Sequence, residues 1–225
     1  MFDYIRDPAE IYQKSFATVR AEADLSGFKA DEADVVVRLI HACGMPDITG
    51  DLVFAGGGVQ VGRAALKRGA PVLVDVEMVA NGIIRGRLPA ANAILCTLND
   101  DGVRAKAFEK STTRSAAAVD YWGDALAGSV VAIGNAPTAL FRVLELIDAG
   151  AAPPAMIAAF PVGFVGAAES KDALIAHAPR LGVPFITLKG RRGGSALAAA
   201  CVNALSGNEA GNEAGNEAGN GAGEP

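Results

Sequence analysis

The sequence predicts an α/β fold with a parallel sheet covered on both faces by helices, and three observations carry that expectation. Six short apolar runs, β-branched in part, recur along the chain: DLVFA at 51–55, PVLVDV at 71–76, NAILCTL at 92–98, SVVAIGN at 129–135, MIAAFPVG at 156–163 and PFITLKG at 184–190. Their apolar character is continuous rather than alternating, as strands buried on both faces require. Helical patterns near 59–68, 113–126, 137–148, 167–180 and 195–205 separate them, and strands alternating with helices build parallel sheets. With 225 residues, 51% of them hydrophobic, the chain can bury a substantial core as one domain over residues 1–206.

Taken in order, the first helix starts at Asp7-Pro8, an N-cap and N1 pair, and runs to about Asp24, with Ile11, Phe16, Val19 and Ala23 on its apolar face. Ser15 falls in mid-helix, where serine is not a favoured filler, so its hydroxyl faces solvent or a ligand. A Ser26-Gly27 break and Asp31 lead into a second helix. There Val36, Leu39, Ile40 and Cys43 repeat at i, i+3, i+4 and i+7, and Gly44 supplies a left-handed cap. Beyond the fourth run, Asn135 caps and Pro137 begins a helix. Beyond the fifth, the glycines of PVGFVG permit a tight turn, and Glu169 and Ser170 favour a helix start. Right-handed crossovers place an active edge at the carboxyl ends of the strands.

From Gly207 the chain changes character. GNEA occurs three times in succession, at 207, 211 and 215, and the remainder is Gly, Ala, Asn, Glu and Pro. Such a composition buries too little apolar surface to offset ordering, so 207–225 is read as a disordered acidic tail. It contributes four glutamates and no basic residue to the net charge of −5, which leaves the body near −1. A near-neutral body with scattered basic residues gives no footprint for nucleic acid. No apolar run reaches the roughly 20 residues of a membrane span, and the first fifteen residues have neither a basic nor an apolar targeting region. Cys43, Cys96 and Cys201 are too few and too far apart for a disulfide framework or zinc spacing, and read as buried thiols in a reducing cytoplasm.

The stretch RLIHACG, 38–44, concentrates the chemistry. His41, one of only two histidines, sits in the last turn of the second helix, off the apolar stripe and three residues after Arg38. An imidazole and a guanidinium on one face suit an anionic substrate that needs a proton. The negative end of the helix dipole favours imidazolium while Arg38 opposes it, which leaves the sign of the pKa change open. A capping or surface role is the alternative. His177, beside Ala178-Pro179, reads as structural or exposed, and Trp122 and Tyr121 as packing residues.

Four loops are expected at the active edge. GGGVQVG at 56–62, with Asp75 ending the next strand, suggests a dinucleotide site, but its glycines are spaced one residue off the usual fingerprint. In DVEMVANGIIRGR, 75–87, Asp75 and Glu77 suit acid/base work or capping, and Arg85 and Arg87 suit carboxylates or solvent. In TTRSAAA, Thr112 or Thr113 caps a helix whose dipole opposes Arg114 in the first turn, so an anion or acidic partner is expected beside Arg114. GNAPTALF and PVGFVGAAESK present helix amides to the site.

Together, SFATVRAEADLS, RLIHACG, DVEMVANGI, TRSAAA, GSVVAIGNAPTALF and PVGFVGAAESKDAL, in this order and spacing, resemble the precorrin-8X methylmutase (precorrin isomerase) family of cobalamin biosynthesis over roughly residues 4–205. The resemblance implies a three-layer α/β/α fold, a homodimer, and an isomerase that moves a methyl group from C11 to C12 of a corrin-like tetrapyrrole, giving hydrogenobyrinate. It implies no external cofactor and no metal. Carried over by motif, His41 is the proton donor and acceptor, and Ser15, Arg38 and Arg114 contact the substrate. Three alternatives remain: the cobalt-containing substrate of the oxygen-independent route, a tetrapyrrole carrier without catalysis, and a nucleotide-binding oxidoreductase. A proton donor at His41 separates enzyme from carrier.

Overall fold

The computed structural model describes residues 2–207, so the tail expected from 207 onward lies, except for Gly207, outside the described residues. Helices α1 (Pro8–Glu22) and α2 (Ala30–Cys43) precede β1 (Leu52–Ala55), α3 (Gly58–Lys67), β2 (Val72–Val74), α4 (Glu77–Gly82) and β3 (Ile94–Leu95). Then follow α5 (Val103–Glu109), α6 (Arg114–Val119), β4 (Val130–Ile133), α7 (Pro137–Asp148), β5 (Met156–Ala159), α8 (Ala167–Leu181), β6 (Phe185–Leu188) and α9 (Ser195–Ser206). All six apolar runs become strands of one sheet, in the order β1-β6-β5-β4-β2-β3.

Side-chain alternation along the central strands defines three layers. Val130, Ala132, Met156, Ala158, Ile186 and Leu188 join the core beneath α1, α2, α3, α4 and α9. Val131, Ile133, Ile157, Ala159 and Phe185 face the opposite core, with α7 and α8. On the first side α9 is buried along nearly its whole length, and its run of alanines lets α2 and α4 approach closely. Its one amide side chain is satisfied: Asn203 accepts from the Ile84 amide and donates to the Gly82 carbonyl.

The sheet is mixed, because β1 runs antiparallel to β6 while the other four pairings are parallel. Ala55 therefore lies beside Phe185, at the start of β6. The GGGVQVG turn that follows sits at the amino-terminal edge of the parallel strands, not at the carboxyl edge where the sequence placed it. The expected helix near 113–126 also divides. It stops at Val119, next to Asp120, which pairs with Lys110 at 2.8 Å and Arg142 at 2.7 Å, and a short 3₁₀ turn covers Gly123–Leu126. Helix α5 lies outside the five helical patterns of the sequence.

The β4–α7 loop is organised by Asp75, which follows β2 and is 3% exposed. Its carboxylate accepts hydrogen bonds from the amides of Gly134 at 2.8 Å, Asn135 at 2.9 Å and Ala136 at 2.7 Å. Asn135 does not cap α7; Ala136 is the N-cap residue, and the carboxylate from the neighbouring strand does the capping instead. Nor are these amides open to a ligand, as expected for GNAPTALF. The turn passes against α9 and α4, where a Cβ on residue 134 would fall 2.7 Å from Ser195 Cα and 2.6 Å from Val79 Cγ2, so glycine is required for this close approach.

Candidate active site

His41 reaches the surface because α2 ends there. Gly44 adopts φ +69° and its amide closes on the Ile40 carbonyl at 2.7 Å, which stops the helix one turn beyond a wholly buried stretch, Val35–Ile40. Helix α1 lies along this end. Ser15 Oγ stands 2.8 Å from His41 Nδ1, while the rings of Tyr12 and Phe16 meet the imidazole edge-on at 5.5 and 5.1 Å. Residues 12, 15 and 16 are helical neighbours at i, i+3 and i+4, so one face of α1 supplies both the hydroxyl and the aromatic cradle.

The Ser15 hydroxyl can donate to Nδ1 or accept from it, so it follows the imidazole through either tautomer and through protonation. No hydrogen bond is found for Nε2 among the described residues. The imidazole opens into a cavity of about 410 Å³ lined by Ile11, Lys14, Ser15, Thr18, Gly44 and Pro46, among others. Ser15 is thus a ligand of the histidine as well as a lining residue, where sequence reasoning offered solvent or substrate. Desolvation by burial, then the Arg38 charge, lowers the His41 pKa from its usual 6.5. The sequence left this sign open, because the dipole and Arg38 are legible in it and burial is not.

Arg38 does not share the His41 cavity. It is 6% exposed, Nη2 donates to Tyr12 Oη at 2.5 Å, and its guanidinium lies over the Phe16 ring at 5.6 Å. The aromatic pair therefore stands between the two groups that the sequence placed on one face. A larger hollow, about 700 Å³, lies elsewhere, by Trp122, Lys106, Lys110 and Arg142, but all three cations converge on Asp120 and it holds none of the expected site residues. Among the described residues no group of three or more His, Cys, Asp or Glu is placed to hold a metal, and no helix is long and apolar enough to cross a membrane.

Comparison with known proteins bears directly on this histidine site. The family model described as precorrin-8X methylmutase matches residues 10–207, which include α1, α2 and the His41 cleft. The chain belongs to the precorrin-8X methylmutase family. It is 59% identical to a precorrin-8X methylmutase of Pseudomonas aeruginosa, over 92% of this chain and 98% of that one. Identity to a cobalt-precorrin-8 methylmutase of Priestia megaterium is 36%, over 88% of this chain and 87% of that one. A solved precorrin-8X methylmutase structure from Thermus thermophilus superposes with a TM-score of 0.78 at 38% identity, covering 87% of this chain and 95% of that one.

In this methylmutase-family chain the remaining residue expected at the site, Arg114, stands apart. Thr113 caps α6, its Oγ1 accepting from the Ala116 amide at 3.1 Å. Arg114 donates to Asn99 Oδ1 at 2.9 Å and to the Leu98 carbonyl, both neutral, so of the anion or acidic partner expected beside it no acidic side chain is among these contacts. Its Nε is buried without an acceptor, and it does not line the His41 cavity. His177 is exposed on α8, Trp122 is core at 5% exposure, and Tyr121 is exposed at 39%. Tyr12 is the position at the site that sequence reasoning missed, and its i, i+4 relation to Phe16, beside Ser15, was the available signal. Of the acid/base and capping roles open to Asp75, the structure shows capping; which amides it serves had no signal in the sequence, since residues 75 and 134–136 meet only through the sheet.

Proposed function

We propose that this chain is an isomerase of cobalamin biosynthesis, moving a methyl group from C11 to C12 of precorrin-8X to give hydrogenobyrinate, with His41 as proton donor and acceptor. The observation that carries this reading is the Ser15–His41 pair at an open cleft, with Nε2 unengaged, in a member of the precorrin-8X methylmutase family. In the migration the C11–methyl bond breaks as the C12–methyl bond forms, and no atom is gained or lost. Protonation of a conjugated ring nitrogen by the imidazolium makes C12 more electron-poor, and the same nitrogen of His41 recovers the proton afterwards. Burial and Arg38 both disfavour the imidazolium form of His41. Arrival of a polycarboxylate raises its pKa and charges it where the charge is used.

Binding should therefore take up protons. Calorimetric titrations with hydrogenobyrinate at pH 7, run in buffers of different ionisation heat, measure that uptake, and it disappears in His41→Ala. Equal heats in all buffers for the unaltered protein would sink this role of the histidine.

Residues 1–206 are read as one cytoplasmic domain and the active form as a homodimer. Phe108, Phe164 and Val165, 89, 83 and 88% exposed, support a further surface to be covered. Arg114 and the dimer belong together in this reading, because Arg114 is absent from the lining of the His41 cleft and reaches substrate there only from a second copy. The metal-free substrate is favoured by the greater likeness to the precorrin-8X relative than to the cobalt-precorrin-8 relative. The deciding experiment is an absorbance time course with metal-free precorrin-8. Appearance of the more extended corrin chromophore supports the isomerase. Binding without spectral change would turn the reading towards the carrier or the cobalt-containing substrate.

A further inference from the structure

Among the charged side chains of the described residues Lys171, near the start of α8, is the most enclosed. It is fully buried, and its Nζ donates to one neutral acceptor, the Arg192 carbonyl, at 2.7 Å. No carboxylate of the described residues pairs with it; Asp172 and Asp51 act on it only over longer distances. Burial accordingly pushes its ammonium down to about 8, against the pull of those two acids. For stability alone lysine is a poor choice here, because a methionine of similar length would fill the same space without a buried charge. What Lys171 does hold is Arg192, in the loop between β6 and α9. That guanidinium spans two acids of the 3₁₀ turn Pro46–Asp51, donating from Nη1 to Asp47 at 2.6 Å and from Nη2 to Asp51 at 2.7 Å. The turn begins at Pro46, which lines the His41 cleft together with Gly44, the residue that caps α2.

We propose that Lys171 is a positioning residue for the His41 cleft, acting through Arg192 on the turn that follows Gly44. The loop does not supply this hold unaided. Three of its residues, Gly190, Gly193 and Gly194, are glycines, two of them at φ +76° and +123°, so its backbone has many alternatives to its present course. The Gly194 amide donates to the Phe160 carbonyl at 2.8 Å and the Gly163 amide to the Arg191 carbonyl at 3.2 Å, which ties the loop to the end of β5 but leaves the Arg192 carbonyl to Lys171. With that carbonyl turned inward to Nζ, the Arg192 side chain is directed outward across the turn. Asp47 and Asp51 are exposed, and ion pairs at such positions add little to stability. Their use is geometric, since one planar fork fixes both ends of the turn. This relay stands apart from the reaction, while its service to substrate binding rests on the isomerase reading above.

The test compares the unaltered chain with Lys171→Met, Arg192→Met, Arg192→Lys and the Lys171→Met/Arg192→Met double variant. The chain has two histidines, so His41→Ala assigns their NMR signals and the His41 titration is followed directly. Lys171→Met is expected to melt within about 4 °C of the unaltered chain, because removal of a buried charge offsets the loss of one hydrogen bond. Its slackened turn admits water to the cleft, so the His41 titration moves up towards 6.5. Arg192→Lys, which keeps the charge without the fork, moves it in the same direction. In the double variant the displacement is no larger than in Arg192→Met alone, whereas the effects of two lost charges would add. Hydrogenobyrinate, titrated by absorbance, binds Lys171→Met about fivefold more weakly than the unaltered chain. Failure of hydrogenobyrinate to bind any chain, the unaltered one included, would count against the isomerase reading, while the His41 titrations still decide the relay. A His41 titration unmoved in Lys171→Met, additive displacements in the double variant, or an undiminished affinity in chains that bind would each overturn the proposal. A Lys171→Met midpoint lowered by more than the expected margin would overturn it too, by making Lys171 a residue of the fold alone.

Discussion

His41→Ala should reduce conversion of precorrin-8 by about two to four orders of magnitude, the span that a positioned acid or base typically supplies, while hydrogenobyrinate binding stays within a few fold. The asymmetry follows from geometry. The imidazole presents only Nε2 to the cleft, Nδ1 being engaged by Ser15, so its removal takes away one polar contact from a ligand held by many carboxylates. In the proposed mechanism it also takes away the whole of the proton transfer. Ser15 is left without its ring partner but at a site open enough for water to replace it, so the fold should tolerate the change. Single-turnover absorbance traces beside an equilibrium titration separate the two quantities. Turnover unchanged in the variant would remove His41 from the chemistry, and binding lost in parallel with turnover would make it a substrate clamp instead.

Asp75→Ala should destabilise the fold severely, by on the order of 4 kcal/mol, because three buried or half-buried amides lose their acceptor at once and each orphaned donor costs roughly 1–3 kcal/mol. Asp75→Asn is expected to do little better, since its NH₂ would oppose an amide donor. Urea unfolding of both variants, read as a shift in midpoint at unchanged slope, checks this; a shift equivalent to less than about 1 kcal/mol would show that water replaces the carboxylate. Burial pushes the Asp75 carboxyl upward, and its amide hydrogen bonds pull it part of the way back. With the folded value above the unfolded one, the native state takes up this proton first as pH falls, so Asp75 is not a driver of acid unfolding.

The readable and unreadable parts of this molecule divide along a physical line. Strand positions were legible because continuous apolar runs have few other uses, and α1 and α2 because their caps, Asp7-Pro8 and Gly44, lie next to them in sequence. The direction of β1 was not, since a four-residue apolar run carries no sign of its orientation. The same distinction holds at the site. His41 stood out by rarity and by its place at a helix end, whereas its bond to Ser15 spans 26 residues and depends on how α1 lies on α2. Arg38 looked like a companion of His41 because helical spacing gives angular proximity; the insertion of Tyr12 and Phe16 between them is a tertiary event. Asp75 was open to acid, base or capping roles, and only the pairing of β2 with β4 reveals which amides it serves.

Among the described residues helix α9 comes last and is among the most deeply enclosed elements, and α2, which carries His41, rests on it. During synthesis, therefore, the chain up to α9 emerges with part of one sheet face and the underside of α2 uncovered. Nothing N-terminal can substitute for the missing layer, because α9 contacts α2, α3, α4 and two central strands. The nascent chain must hold this apolar surface unburied until α9 has emerged, a period in which such surfaces associate with one another or with chaperones. Premature termination anywhere in α9 should accordingly yield insoluble protein rather than a shortened, weakly active one.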